Sequence, residues 1–494
     1  MSSDLDSHYG DVVRMVEWTG EHLKELGARV ELADNPKSTK SRQLPPILLA
    51  GIEGGGGGGS GGGGGKSDNS AGRMTLCVYG HLDVQPASED DGWDSDPFQL
   101  DERDGKLYGR GSTDDKGPVI SWLAAIEAFR DLSVELPVNV KFVLEGMEEF
   151  GSDGLFELIA EESKPSKFLS DVDFFCITDN YWLGKSKPCL TYGLRGLAYF
   201  CVSVRCAEQD LHSGVNGGAV PEAMTDLIKL MATLVDGSGE ILVPGVMDSV
   251  KPLAPEEEKL YDSIDFDLEE FKKEVRVVGD RLLHGNKKSL LMARWRYPTL
   301  SLHGIEGAFS GGGAKTVIPA KVVGKFSLRL VPDQDPAEIE RLVRKHLESE
   351  FAKLRSPNVM EAEMLHGAKA WLSSPDHPNF AAAARAVERV YGAEPDLTRE
   401  GGSIPVASAF EDSTGGMNVL LLPTGACDDM AHSQNEKYNV SNYLNGIKVI
   451  GTYLHELGMV QGPKPSDCRC QPLTEEELMV PGAFIRGFKC KCEM

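Results

Sequence analysis

Apolar residues Val12, Val16, Leu23 and Leu26 recur at roughly helical spacing in VVRMVEWTGEHLKEL, and Gly27 ends the pattern, which predicts a helix over residues 12–26. ARVELA then reads as a strand. Beyond Gly72 the period switches back and forth: MTLCVYG is a buried strand, PVISWLAAIEAFRDL a helix with Pro118 in its first turn, VNVKFVLE a strand, SDGLFELIAEE a helix and VDFFCIT a strand. Such β–α alternation predicts a mainly parallel sheet with helices on both faces. From Gly193 the pattern changes. In GLAYFCVSVRC, Ala198, Phe200, Val202 and Val204 alternate with Tyr199, Cys201, Ser203 and Arg205, so one face is buried. A long helix is expected around PEAMTDLIKLMATLV, then strands in PTLSLHGI and KVVGKFSLRLV, a helix in PAEIERLVRKHLESEFAKL and a strand in NVMEAEML. PNFAAAARAVERVYG, MNVLLLP and NVSNYLNGIKVIGTYLHELG return to the first style. The expected architecture is an α/β domain in two pieces, 1–192 and 378–460, with an α+β domain of 193–377 inserted and a disordered tail over 461–494.

Two segments stand outside this rhythm. Pro36 to Gly72 reads as a loop, and its run of glycines from Gly54 to Gly65 has no side chains to bury, so a disordered insertion is expected over about 53–72. Lys66-Ser67 lacks the spacing of a phosphate-binding loop. The tail carries Cys468, Cys470, Cys490 and Cys492 as Cys-x-Cys pairs, with too little apolar content to fold around zinc. Cys77, Cys176, Cys189, Cys201, Cys206 and Cys427 sit in apolar segments without framework spacing and read as reduced, buried thiols. A length of 494 residues implies more than one domain. The formal net charge of −25 argues against nucleic acid and anionic membranes as partners. No apolar run matches a membrane span, and MSSDLDSHYG lacks the parts of a signal peptide, so a cytosolic location is expected.

Chemistry gathers where ligands bind in open α/β sheets, beyond the carboxyl ends of the strands. His81 and Asp83 follow MTLCVYG, and Asp114 and Asp115 lie in GRGSTDDKGP. Glu148 and Glu149 follow VNVKFVLE, Asp179 follows VDFFCIT, and His432 follows MNVLLLP. Each cluster alone would pass as a helix cap or a solvated loop. Brought to one rim, the carboxylates would repel one another unless cations neutralised them. Imidazole with carboxylate is a ligand set for zinc, manganese or cobalt, and these residues suffice for two ions sharing one carboxylate.

The segments YGHLDVQPA, DGKLYGRGSTDDKGP, EGMEE, TDNYWLG, TYGLRG, DLHSGV, RWRYPTLSLHGIEGAF, GAKTVIPAKVVGKFSLRLVP, EPDLTREGGSIPV and AHSQNEK resemble the carnosinase branch, the non-specific dipeptidases, of the di-metal metallopeptidase and aminoacylase family. The similarity runs from about residue 12 to about 458. It implies that 1–192 and 378–460 form a catalytic domain and 193–377 a lid and dimerisation domain. It also implies that His81 and Asp179 bind one divalent ion, manganese or zinc, that Glu149 and His432 bind a second, and that Asp114 bridges both through a cis Asp114–Asp115 peptide. By the same resemblance Asp83 orients His81, and Glu148 is the general base that activates water. His212 reaches the partner's site in a homodimer. Thr316, Arg329, His366, Glu400 and Ser403 grip the dipeptide substrate. The sequence departs from the family in three ways: a helical segment expected before residue 12 has no counterpart, which should expose apolar surface; Phe150 stands where a small residue is expected; and the glycine tract and tail are additions. An aminoacylase-like amidohydrolase and an inactive scaffold on the same fold remain alternative readings.

Overall fold

The computed structural model describes residues 5–55, 73–279, 281–460, 471–472 and 488–489. The glycine tract from Gly56 onward and most of the tail, with all four of its cysteines, lie outside the described residues.

A nine-stranded sheet runs in the order Arg29–Ala33, Ile47–Ile52, Asn139–Glu145, Thr75–His81, Phe174–Ile177, Val419–Leu421, Cys189–Leu194 and Trp371–Leu372, with Asp396–Glu400 also paired to Cys189–Leu194. The four central strands, from Asn139–Glu145 to Val419–Leu421, are mutually parallel, and antiparallel pairs flank them on both sides. Their carboxyl ends therefore share one edge.

Alternating residues of each central strand feed two different cores. Leu76 and Val78 join Trp122 of helix Lys116–Asp131, Phe380 of Pro378–Tyr391 and Tyr453 of Val440–Gly458 on one face. Cys77 and Tyr79 join Leu155 of Leu155–Glu162 and Phe410 of Pro405–Thr414 on the other. A strand buried on both faces reads as a continuous apolar run, and this one does.

Ile47–Ile52 lies within the stretch expected to be a loop; it is instead a buried strand wedged between Arg29–Ala33 and Asn139–Glu145. Its sequence, ILLAGI, is uniformly apolar and gives no alternation to recognise. The first helix begins earlier than expected, at Leu5, and ends at Glu25. On its exposed side Trp18 is 50% accessible and, with Met15, Phe98, Leu100 and Tyr443, lines a cavity of about 580 Å³.

The second sheet is antiparallel, in the order Thr299–Glu306, Lys321–Leu330, Gly196–Arg205, Val359–Ala368. Ala198, Phe200, Val202 and Val204 all point into its core, against helices Ala223–Met231 and Pro336–Leu354. Ala223–Met231 is shorter than the long helix expected there. The chain instead turns at Thr233 and Leu234, whose N–H groups bond back to Leu230 and Met231. The helices Pro255–Ser263, Leu268–Val275 and Lys287–Trp295, which the sequence pattern did not reveal, add a small cluster around Tyr261 and Trp295. Between the two sheets the chain crosses twice, at Arg195 and at Lys369–Ala370. Gly196 makes that junction feasible, because a Cβ there would lie 2.4 Å from the Ala368 carbonyl oxygen.

The six cysteines among the described residues are free, as expected, but not uniformly buried. Cys77, Cys176 and Cys189 are buried, Cys201 and Cys206 are half-buried, and Cys427 is exposed, on the loop after Leu421 rather than in a strand. Among the described residues no helix is long and apolar enough to cross a membrane.

Phe175 is fully buried and its ring stacks on Phe410 at 4.4 Å between centroids. Phe175→Ala is expected to cost about 3–5 kcal/mol through lost contacts and a residual cavity, seen as a lower urea midpoint. An unchanged midpoint would show that this face of the sheet carries little of the stability.

Candidate metal centre

His81 ends one central strand, and Glu148 and Glu149 open the short 3₁₀ turn Glu148–Phe150 just beyond another. Asp179 lies two residues past Phe174–Ile177. Asp115 immediately precedes the helix Lys116–Asp131 without a side-chain capping bond, so Asp114 sits at the loop-to-helix junction. His432 comes from the loop after Val419–Leu421, with φ of +60°. The Asp114–Asp115 peptide bond is cis.

These side chains meet around Asp114. His81 Nε2 is 3.0 Å from Asp114 Oδ1 and 3.7 Å from Asp179 Oδ1. His432 Nε2 is 3.0 Å from Asp114 Oδ2 and 3.1 Å from Glu149 Oε2. The two imidazoles thus address opposite oxygens of one carboxylate, each with a further carboxylate beside it. Ligand atoms of His81, Asp114 and Glu149 all lie within 4.8 Å of one another, a spacing and an N/O chemistry that suit a divalent cation.

The electrostatics carry the same message. Burial alone would lower the pKa of His81, but the charge of Asp179 and hydrogen bonds with Asp114, Asp179 and Asp83 outweigh it and hold the imidazole well above its usual range. Hydrogen bonds to Asp114 and Glu149 raise His432 to about 10. Burial raises Asp179, and it raises Glu148 well above the carboxylate range, where the charges of Asp179, Glu149 and Glu145 add to it.

A second layer holds these groups. Asp83 flanks His81 Nδ1 with its backbone carbonyl at 3.2 Å and its carboxylate at 3.5 Å. That carboxylate accepts the N–H groups of Glu148 at 3.2 Å and Glu149 at 3.1 Å, so it aims the glutamate turn. Gln85 donates to Glu149 at 2.8 Å. Asp115 is fully buried and accepts the His81 N–H at 3.1 Å.

Glu436 is the residue most clearly missed by sequence reasoning. Its buried carboxylate accepts the N–H groups of Gly111, Thr113 and Asp114 and pairs with Arg110 at 2.8 Å, fixing the loop that delivers Asp114. Only its place in the QNEK segment, four residues after His432, hinted at it. Phe150, the residue after Glu149, is 49% exposed.

The remaining expected residues fall in two further places. Arg329 Nη1 donates to Ser403 Oγ at 3.0 Å, and Glu400 lies next to them. His212 and Thr316 come together where Leu211–His212 pairs with Val317–Ile318, and both are exposed. His366 is exposed on the edge strand Val359–Ala368, opposite Tyr199. Among the described residues, His212, Thr316 and His366 make no hydrogen bond or ion pair with the metal-centre residues.

Residues 77–456 match the model of peptidase family M20/M25/M40. The chain belongs to this family of peptidases. It is 52% identical over 450 residues to the Cys-Gly metallodipeptidase DUG1 of Candida albicans, covering 91% of this chain and 88% of that protein. It is 46% identical over 454 residues to the human Beta-Ala-His dipeptidase, covering 91% and 86%. The crystal structure of human carnosine dipeptidase 1 has a TM-score of 0.81 and 44% identity, covering 92% of each chain.

Because the neighbouring carboxylates raise the pKa of both imidazoles and metals bind the neutral ring, loading is expected to release protons. Calorimetric titration of metal-stripped protein with zinc or manganese at pH 7.5, in buffers of different ionisation enthalpy, is expected to show net proton release and an affinity that rises with pH. A buffer-independent enthalpy would contradict this arrangement.

Proposed function

We propose that this protein is a metal-dependent dipeptidase of broad specificity, a reading carried by the two imidazoles that share Asp114 with Glu148 alongside. It is supported by membership of the peptidase family and by the dipeptidase names of relatives sharing about half of its residues. His81, Asp114 and Asp179 would hold one divalent ion, and His432, Asp114 and Glu149 a second, with manganese and zinc both suited to the donor set. Two such ions, when bound, supply Lewis acidity that activates water and polarises a carbonyl.

The chain's own residues do the rest. Glu148 takes the proton from the attacking water and returns it to the leaving amine. Asp83 keeps that carboxyl aimed by holding the Glu148 and Glu149 N–H groups. Arg329 and Ser403 receive the substrate's carboxylate end, with Glu400, Thr316 and His366 as further contacts. The catalytic domain comprises 1–192 and 378–460, and 193–377 is a lid and dimerisation domain. His212, exposed on its own chain, serves the site of a second copy in a homodimer, where it stabilises the developing oxyanion.

Metal-refilled protein is expected to cleave a panel of dipeptides in preference to N-acetyl amino acids, and Glu148→Gln to lower kcat by about 10²–10⁴-fold with metal content unchanged. Preference for N-acetyl amino acids would make it an aminoacylase. No turnover of either class with ions bound would make it a scaffold. For the shared site, mixing inactive Glu148→Gln with inactive His212→Ala protein under subunit exchange should restore activity that neither has alone. No recovery in demonstrably mixed dimers would assign His212 to its own chain.

A further inference from the structure

Arg195 is the single residue that links strand Cys189–Leu194 to strand Gly196–Arg205, and it sits beside the Arg329–Ser403 pair. Its backbone N–H donates to the Glu400 carbonyl at 3.2 Å, and its own carbonyl accepts the Ser403 hydroxyl at 2.7 Å. Ser403 Oγ in turn accepts from Arg329 Nη1, so one hydroxyl ties the two arginines together. The Arg195 guanidinium donates through Nε to the Gly401 carbonyl at 3.3 Å and through Nη1 to Thr299 Oγ1 at 2.9 Å. It lies so close to the loop that a Cβ on Gly401 would sit 2.9 Å from Nη2.

Among the described residues, neither Arg195 nor Arg329 has a carboxylate at ion-pair distance, and Arg195 Nη2 has no acceptor. The nearby Glu400 carboxylate accepts the Gly401 N–H at 2.6 Å instead. Burial, and then the like charge of Arg329, hold Arg195 down to about 10 against the pull of Glu400. Two guanidiniums that repel each other in a half-buried site, each with a donor to spare, are stabilised by an anion placed between them.

We propose that Arg195 is a specificity-determining residue that acts with Arg329 to receive the terminal carboxylate of the substrate. This rests on the dipeptide reading above and adds a residue to it. The crossover position has a consequence. The same residue that joins the two sheets senses the substrate's charge, so carboxylate recognition is built into the junction between them rather than into either sheet.

The test compares the metal-loaded enzyme with Arg195→Gln, Arg195→Lys and Thr299→Val on L-alanyl-L-alanine and on its C-terminal amide, the latter as substrate or competitive inhibitor. Arg195→Gln is expected to raise KM for the acid by about tenfold to a hundredfold, with kcat nearly unchanged and little effect on the amide. Arg195→Lys, which keeps the charge, should fall between Arg195→Gln and wild type. Thr299→Val, which removes only the Nη1 acceptor, should stay near wild type. Equal losses on acid and amide, or a Thr299→Val effect matching Arg195→Gln, would overturn the proposal in favour of a purely structural junction. Wild-type turnover of the acid keeps the dipeptide reading in place whichever way Arg195 falls.

Discussion

The constraint on which the site depends is that one carboxylate, Asp114, must present its two oxygens to two imidazoles arriving from different strands. His81 comes from the end of a central parallel strand and His432 from a loop more than three hundred residues later, yet each lies 3.0 Å from its own oxygen of Asp114. No local element can enforce this. It requires the sheet edge, the helix start at Lys116 and the loop around His432 to be positioned together.

Several buried polar groups do that positioning. Glu436 gathers three backbone N–H groups of the loop before Asp114 and is neutralised by Arg110. Thr113 bonds Asp429, which Lys437 also holds. Asp83 secures the glutamate turn, and Asp115 anchors the His81 backbone. Buried ion pairs of this kind contribute little net stability against apolar replacements, but losing one partner is costly. Their value here is geometric. They hold a cluster of carboxylates close together against mutual repulsion. Gly80 shows how tight the packing is, since a Cβ there would lie 2.7 Å from Asp115 Oδ2.

Much of this was legible in the sequence because parallel strands end on a common edge. Residues such as His81, Glu149 and Asp179 follow apolar runs directly, so the rim could be assembled from the pattern alone. The alternation from Ala198 to Val204 likewise marked the second sheet. Ile47–Ile52 was illegible because burial on both faces erases periodicity, and its neighbours Pro45, Pro46 and the glycine tract suggested a loop. The helices between Pro255 and Val275 are rich in Glu and Lys and bury few side chains, so their apolar stripe is faint. Arg110–Glu436, separated by 326 residues, leaves no local signature at all. Arg195 looked like one more charge between two strands; only the contacts at the crossover distinguish it.

The central claim is that Asp114 is shared between two ions, and elemental analysis by mass spectrometry after saturation with zinc and removal of excess tests it most directly. The account predicts two ions per chain in the wild type, one after His81→Ala or His432→Ala, and loss of both from folded Asp114→Ala. An Asp114→Ala protein that is folded and still retains two ions, or a wild type that takes up only one, would contradict it.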